Sequence, residues 1–146
     1  MKKIKRIWKI WAFPLACGLS VLLLFRFVLI LGYVPSNSME PVIMEGSYVW
    51  GTRLYGELQR GDIVIFKMGS RNLVKRIAAG PGDTVSLDDQ THTTAVNSPL
   101  AGATRTLVVP EGHYFLLGDN GAVSIDSRYW EKPFIAVEDI IAKLIE

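Results

Sequence analysis

Arg60-Gly61-Asp62-Ile63-Val64-Ile65-Phe66 is the stretch whose reading decides the fold. A Gly-Asp turn feeds four consecutive apolar residues, a run too short for a buried helix and rich in β-branched side chains, so it reads as a buried strand. Outward from it the same grammar repeats. Gly46-Ser47-Tyr48-Val49-Trp50-Gly51 is a short strand between turns, Leu73-Val74-Lys75-Arg76-Ile77 is another, and Gly80-Pro81-Gly82-Asp83 turns the chain into Thr84-Val85-Ser86-Leu87. Pro110-Glu111-Gly112 leads into His113-Tyr114-Phe115-Leu116-Leu117, which stops at Gly118-Asp119-Asn120. Short strands punctuated by Gly and Pro predict a mostly β fold. Residues 88–105 are polar, small and aperiodic and read as an exposed excursion, while 137–145 fit helix or strand equally. There is no internal repeat.

The chain has 146 residues, of which 49% are hydrophobic, enough for one domain and an apolar anchor. Residues 10–32 are almost continuously apolar, and about 20 such residues span a hydrocarbon core, so a transmembrane helix is expected there. Lys2, Lys3, Lys5, Arg6 and Lys9 make residues 1–9 a basic cytoplasmic tail, which sets the N-terminus inside and residues 33–146 outside the cell membrane in a single pass. A cleaved secretory signal is the competing reading. It is disfavoured because the run exceeds a signal core of about 7–15 residues and Ser38 follows it closely. Arg26 near the outer end of the run can snorkel to the interface. Beyond residue 32 there are ten basic and fourteen acidic residues, a net charge of −4. A folded domain of that sign has no basic footprint for nucleic acid, so none is expected as a partner. Membrane lipid is. Cys17 follows Pro14-Leu15-Ala16 and is itself followed by more apolar sequence, a poor setting for lipid attachment, and a lone cysteine excludes an internal disulfide or a cysteine zinc cluster.

Ser38 lies six residues beyond Gly32, hence no more than roughly 20 Å from the end of the apolar run. Lys75 follows it by 37 residues in a strand whose alternation puts Leu73, Lys75 and Ile77 on one face and Val74 and Arg76 on the other. A serine hydroxyl needs a base to become a nucleophile, and a lysine amine can serve if burial lowers its pKa. Taken alone, Lys75 fits better a lysine reaching to water from a strand edge, and Ser38 a turn residue before Met39-Glu40-Pro41. His92 and His113 complete neither a Ser-His-Asp set nor a zinc motif, so no metal or other cofactor is expected. The third polar cluster, Gly118-Asp119-Asn120 with Ser124-Ile125-Asp126-Ser127-Arg128, offers short side chains that could orient the amine.

Pro35-Ser36-Asn37-Ser38-Met39-Glu40-Pro41, the stretch from Arg60 to Phe66, Val74-Lys75-Arg76-Ile77 with Gly80-Pro81-Gly82-Asp83, and the 118–128 cluster together resemble, in order, the four boxes of type I signal peptidases. The resemblance runs over nearly all of the chain from residue 34. It implies a mostly β catalytic domain of coiled antiparallel sheets, Ser38 as nucleophile and Lys75 as general base. It implies an oxyanion hole from the Ser38 N–H and the Ser36 hydroxyl, with Ser124 orienting the lysine. Asp119, Asp126 and Arg128 match a structural ion-pair cluster, and Val34, Pro35, Met39, Leu73 and Val74 match the lining of shallow pockets for substrates of the Ala-x-Ala type. The function implied is removal of signal peptides from exported precursors, with secreted or surface-protein precursors, and export or pilus-assembly machinery, as partners. The short 88–105 stretch resembles the compact Gram-positive form. One departure is plain: Gly121-Ala122-Val123 stands where the family usually has Arg and polar residues. That loss motivates an alternative, a non-catalytic membrane-anchored assembly module on the same fold. A self-cleaving regulator with a related Ser/Lys site would need a DNA-binding segment where residues 1–32 read as an anchor.

Overall fold

A computed structural model describes residues 2–145, with side chains from residue 11 onward. An α-helix, α1 (Lys2–Phe27), leads into ten strands: β1 (Leu29–Tyr33), β2 (Tyr48–Thr52), β3 (Ile63–Met68), β4 (Arg71–Ala79), β5 (Thr84–Asp88), β6 (Thr93–Val96), β7 (Arg105–Val108), β8 (His113–Leu117), β9 (Phe134–Ala136) and β10 (Ile140–Leu144). The mostly β expectation holds. Seven strands form one antiparallel sheet in the order β1-β2-β10-β3-β4-β8-β9, and three form a second in the order β6-β5-β7.

The uninterrupted apolar run of β3 is explained by where it lies. It pairs with β4 on one edge and β10 on the other, and both its faces are covered. Ile63 and Ile65 enter one core with Val34, Met39, Ile43, Val49, Ala142 and Leu144, while Val64 and Phe66 enter a second with Leu58, Ile77, Tyr114, Leu116, Ile135 and Ile140. Burying a side chain the size of Phe66, which is fully enclosed, stabilises the fold by about 1.5–3 kcal/mol. A third core of Ala79, Val85, Leu87, Val109 and Phe115 joins the two sheets. The chain passes between them at Gly80-Pro81-Gly82-Asp83, where Gly82 takes φ +82°, a left-handed conformation that L side chains rarely adopt, and the Asp83 carboxylate accepts the Gly80 N–H at 2.9 Å.

Two expectations are corrected and one open reading is resolved. Residues 88–105 are not a structureless excursion: β6 and the start of β7 lie there and pair on both edges of β5. The ambiguous 137–145 stretch is a short 3-10 turn followed by β10, inserted at the middle of the large sheet. The apolar run 10–32 is not one helix. It stops being helical at Phe27, and Leu29–Tyr33 pairs in register with Tyr48–Thr52 as the sheet's edge. Leu-Ile-Leu-Gly-Tyr satisfies either structure by hydropathy, and the free edge of β2 decides it, because backbone pairing there satisfies groups the sheet would otherwise leave open. Among the described residues, no helix is long and apolar enough to cross a membrane.

Candidate active site

Ser38 sits in a single 3-10 turn, Asn37–Met39, which Val34, Pro35 and Ser36 join to the end of β1. The turn is anchored from beneath by Met39, which is fully buried, and by Val34, whose N–H and carbonyl bond to Ser47 and Gly46. From the far side the Asn120 N–H donates to the Ser38 carbonyl at 3.0 Å and the Asn120 side-chain amide to the Asn37 carbonyl at 3.1 Å. The Ser36 hydroxyl lies 3.3 Å from Ser38 Oγ.

β4 delivers Lys75 to the same point. Its Nζ is 2.7 Å from Ser38 Oγ, and the residue is only 4% exposed. Burial holds the amine below its ordinary value and is the largest influence on it. Asp126 and Asp119 pull the other way, and Arg128 adds to the lowering. The strand is paired to β3 from Arg71 to Arg76, but to β8 only from Arg76 onward, so among the described residues, 71–75 present an unpaired edge beside Ser38.

The 118–128 loop closes the site. Gly118 is the point of closest approach: a Cβ there would overlap Ser124 Oγ and lie 2.5 Å from the Ser38 carbonyl oxygen. Asp126, wholly buried, receives two bonds of 2.8 Å from the Arg128 guanidinium and one of 3.0 Å from the Gly118 N–H. Burial alone would raise its carboxyl. The Arg128 and Gly118 bonds outweigh that and hold it below the usual carboxylate range. Arg128 also reaches the Gly121 carbonyl at 3.4 Å, so the loop is tied down at Gly121, the position where the resemblance leads to an expected arginine.

The expected ion-pair cluster is therefore two pairs rather than one. Asp126 binds Arg128, whereas Asp119 takes two bonds of 2.7 Å from Arg76, which also donates to the Gly61 carbonyl. Strand alternation turns Arg76 away from the Lys75 face, and a part-buried guanidinium there needs a carboxylate. Ser124 is 2% exposed and its hydroxyl has no hydrogen-bond partner among the described residues, so it makes no bond to Lys75. Val34, Pro35, Met39, Leu73 and Val74 all line one cleft of about 350 Å³ that holds Ser36, Ser38 and Lys75. Val123 and Ile125, not singled out by sequence reasoning, line it as well. No cluster of three or more potential metal ligands occurs among the described residues.

A hydroxyl and a partly desolvated amine at hydrogen-bond distance, under an open strand edge, can support acyl transfer. The family profile described as "Signal peptidase, peptidase S26" matches residues 6–97 and 90–145. Signal peptidase I of Bacillus licheniformis is 35% identical over 142 residues, covering 81% of this chain and 76% of that protein. Signal peptidase I of Pseudomonas aeruginosa is 28% identical over 170 residues, covering 79% of this chain and 60% of its own. The crystal structure of a signal peptidase I from Enterococcus faecalis V583 is 27% identical with a TM-score of 0.46, covering 62% of this chain and 98% of that one.

Proposed function

Because the chain belongs to the S26 family of signal peptidases, and is thereby a serine peptidase, we propose that it removes signal peptides from exported precursors with Ser38 as nucleophile and Lys75 as general base. The observation that carries this reading is the 2.7 Å approach of Lys75 Nζ to Ser38 Oγ from a buried position. With the amine neutral, its lone pair accepts the hydroxyl proton as Oγ attacks the scissile carbonyl. The resulting lysine ammonium then gives that proton to the leaving amine. Water attacks the acyl-enzyme in turn, losing its proton to Lys75, which returns it to Ser38 Oγ as the C–O bond breaks and the carboxyl product leaves. The Ser38 N–H and Ser36 hydroxyl serve as donors to the developing oxyanion, the placement in which such groups have the largest effect on rate. No cofactor enters these steps. Asp126 and Asp119 oppose the loss of charge on Lys75, and Arg128 offsets them, so the ion pairs around the lysine moderate its basicity as well as bracing the loop.

The free edge of β4 at residues 71–75 supports binding of an extended peptide as an added strand, with backbone bonds for affinity and alternate side chains for selection. A floor built from buried Val34 and Met39, with Leu73 and Val74 beside it, favours small apolar side chains such as those of Ala-x-Ala sites. Trp11, Phe13, Leu15, Leu19 and Leu22 of α1 are exposed. An apolar surface of that kind supports association of the chain with the cell membrane, and the basic charge of residues 1–9 supports a cytoplasmic side for its N-terminus. The assembly-module reading drew on the missing arginine; Arg128's hold on the Gly121 carbonyl removes much of that motive.

The test is cleavage of a precursor with an Ala-x-Ala site by the detergent-solubilised full chain, across about pH 6 to 10, beside Ser38→Ala, Lys75→Ala and Lys75→Arg. Wild type cleaves with activity that rises with pH, and all three variants are folded and inactive, since a guanidinium cannot act as a base. Substantial cleavage by any of them removes the Ser/Lys mechanism.

A further inference from the structure

The segment 123–125 alternates like a strand: Ser124 is buried between Val123, which is 51% exposed, and Ile125, which is 70% exposed. Neither of the two apolar side chains contributes to a core, yet both line the cleft that holds Ser38 and Lys75. They are presented by a held backbone. The Val123 and Ser124 N–H groups donate to the Asn120 carbonyl, Asn120 is bonded to the Ser38 turn, and Asp126 is locked by Arg128. A pair of outward apolar groups on a braced loop at a cleft rim is suited to meeting a ligand side chain, since burying them there removes apolar surface from water without ordering the loop.

We propose that Val123 and Ile125 form an apolar rim that selects a large apolar side chain at the residue second before the scissile bond. The inference rests on the proposed site and on a substrate laid along the free edge of β4. In such a strand successive side chains face opposite ways. Those adjoining the buried floor of Val34 and Met39 must be small, and the residue between them points to the rim. Occupants of the rim are thus set by this chain's own loop, independently of the floor.

The measurement is kcat/KM in detergent for two soluble peptides that share an Ala-x-Ala site and differ only in Leu or Asn at x. Wild type prefers Leu by about tenfold, the scale expected for a side chain entering an apolar contact. In Val123→Ser/Ile125→Ser that ratio collapses toward one, and Val123→Leu/Ile125→Leu restores it. An unchanged ratio in the serine variant, or no preference in wild type, overturns the rim assignment while leaving the Ser/Lys site standing. The same pair of peptides is also assayed with the enzyme in lipid vesicles: if the serine variant loses activity equally on both peptides there and keeps it in detergent, the two residues contact lipid and the assignment is wrong. Failure of wild type to cut either peptide, or cutting by Ser38→Ala, overturns the site itself and this inference with it.

Discussion

Adding one methyl group at Gly118 should disable the site without touching a reacting atom. The new Cβ would overlap Ser124 Oγ and stand 2.5 Å from both Ser124 Cβ and the Ser38 carbonyl oxygen, where unstrained contacts lie near 3.4 Å or beyond. One side of the collision is backbone, so rotamer changes cannot absorb it. The Ser38 turn or the 118–128 loop has to retreat by about 1 Å, a misplacement that costs on the order of 100-fold in rate when it affects reacting groups. Overpacking of this kind also destabilises by about 1–3 kcal/mol. Gly118→Ala is therefore expected to lower kcat/KM on a peptide substrate by about two orders of magnitude while urea unfolding still reports a cooperative domain. Gly118→Ala/Ser124→Gly separates the two contacts: stability returns in part, but rate does not, because the Ser38 carbonyl is still in the way. A folded Gly118→Ala enzyme within about threefold of wild-type kcat/KM would refute the close-approach argument.

Lys75 is held below its ordinary value of 10.5, so between its folded value and 10.5 the unfolded chain binds more protons than the folded one, and stability rises with pH across that window. Lys75→Met should accordingly be more stable than wild type near neutral pH, with the gap narrowing as pH approaches 10.5; a gap independent of pH in denaturant titrations would count against a strained, buried amine. Arg128→Ala strands the buried Asp126 carboxylate and should cost about 3–5 kcal/mol near neutral pH. Because the Asp126 carboxyl is held low in the fold, that difference shrinks in acid as the pair's contribution is lost through the lowered value. The same substitution removes a charge that pushes Lys75 down, so the acidic limb of its kcat/KM profile should move to higher pH; an unmoved limb would show that Arg128 acts through the loop alone.

The strands legible in the sequence were those with strong apolar signatures. Ile63-Val64-Ile65-Phe66 is buried on both faces and reads so because no polar residue could be tolerated there. β6 and β7 carry no such signature, because Thr93-Thr94-Ala95-Val96 and Arg105-Thr106-Leu107-Val108 are short, contain no fully buried position, and are held by pairing to β5 rather than by hydrophobic period. β1 was hidden in the opposite way, by sharing the hydropathy of the helix before it; a pairing partner twenty residues downstream leaves no trace in local composition. At the site, Ser38 and Lys75 were legible as members of ordered motifs, and each was ambiguous alone. Asp119's partner depended on which face of β4 met the loop, information that lies in the β4–β8 register and not in either segment.

The junction at Val28 carries a practical consequence for anyone who wishes to separate helix from sheets. Hydropathy invites a cut after Gly32, where the apolar run ends. That cut would delete four of the five residues that hydrogen-bond along Tyr48–Thr52, leaving an open strand edge bearing Tyr48 and Trp50, a template for fibrous or amorphous self-association. A cut before Val28 keeps that edge sealed. It also retains the Val28 carbonyl, which receives the Arg53 N–H at 2.7 Å and pins the far end of the strand. A shortened protein that precipitates could thus owe its behaviour to five missing residues rather than to the absent helix.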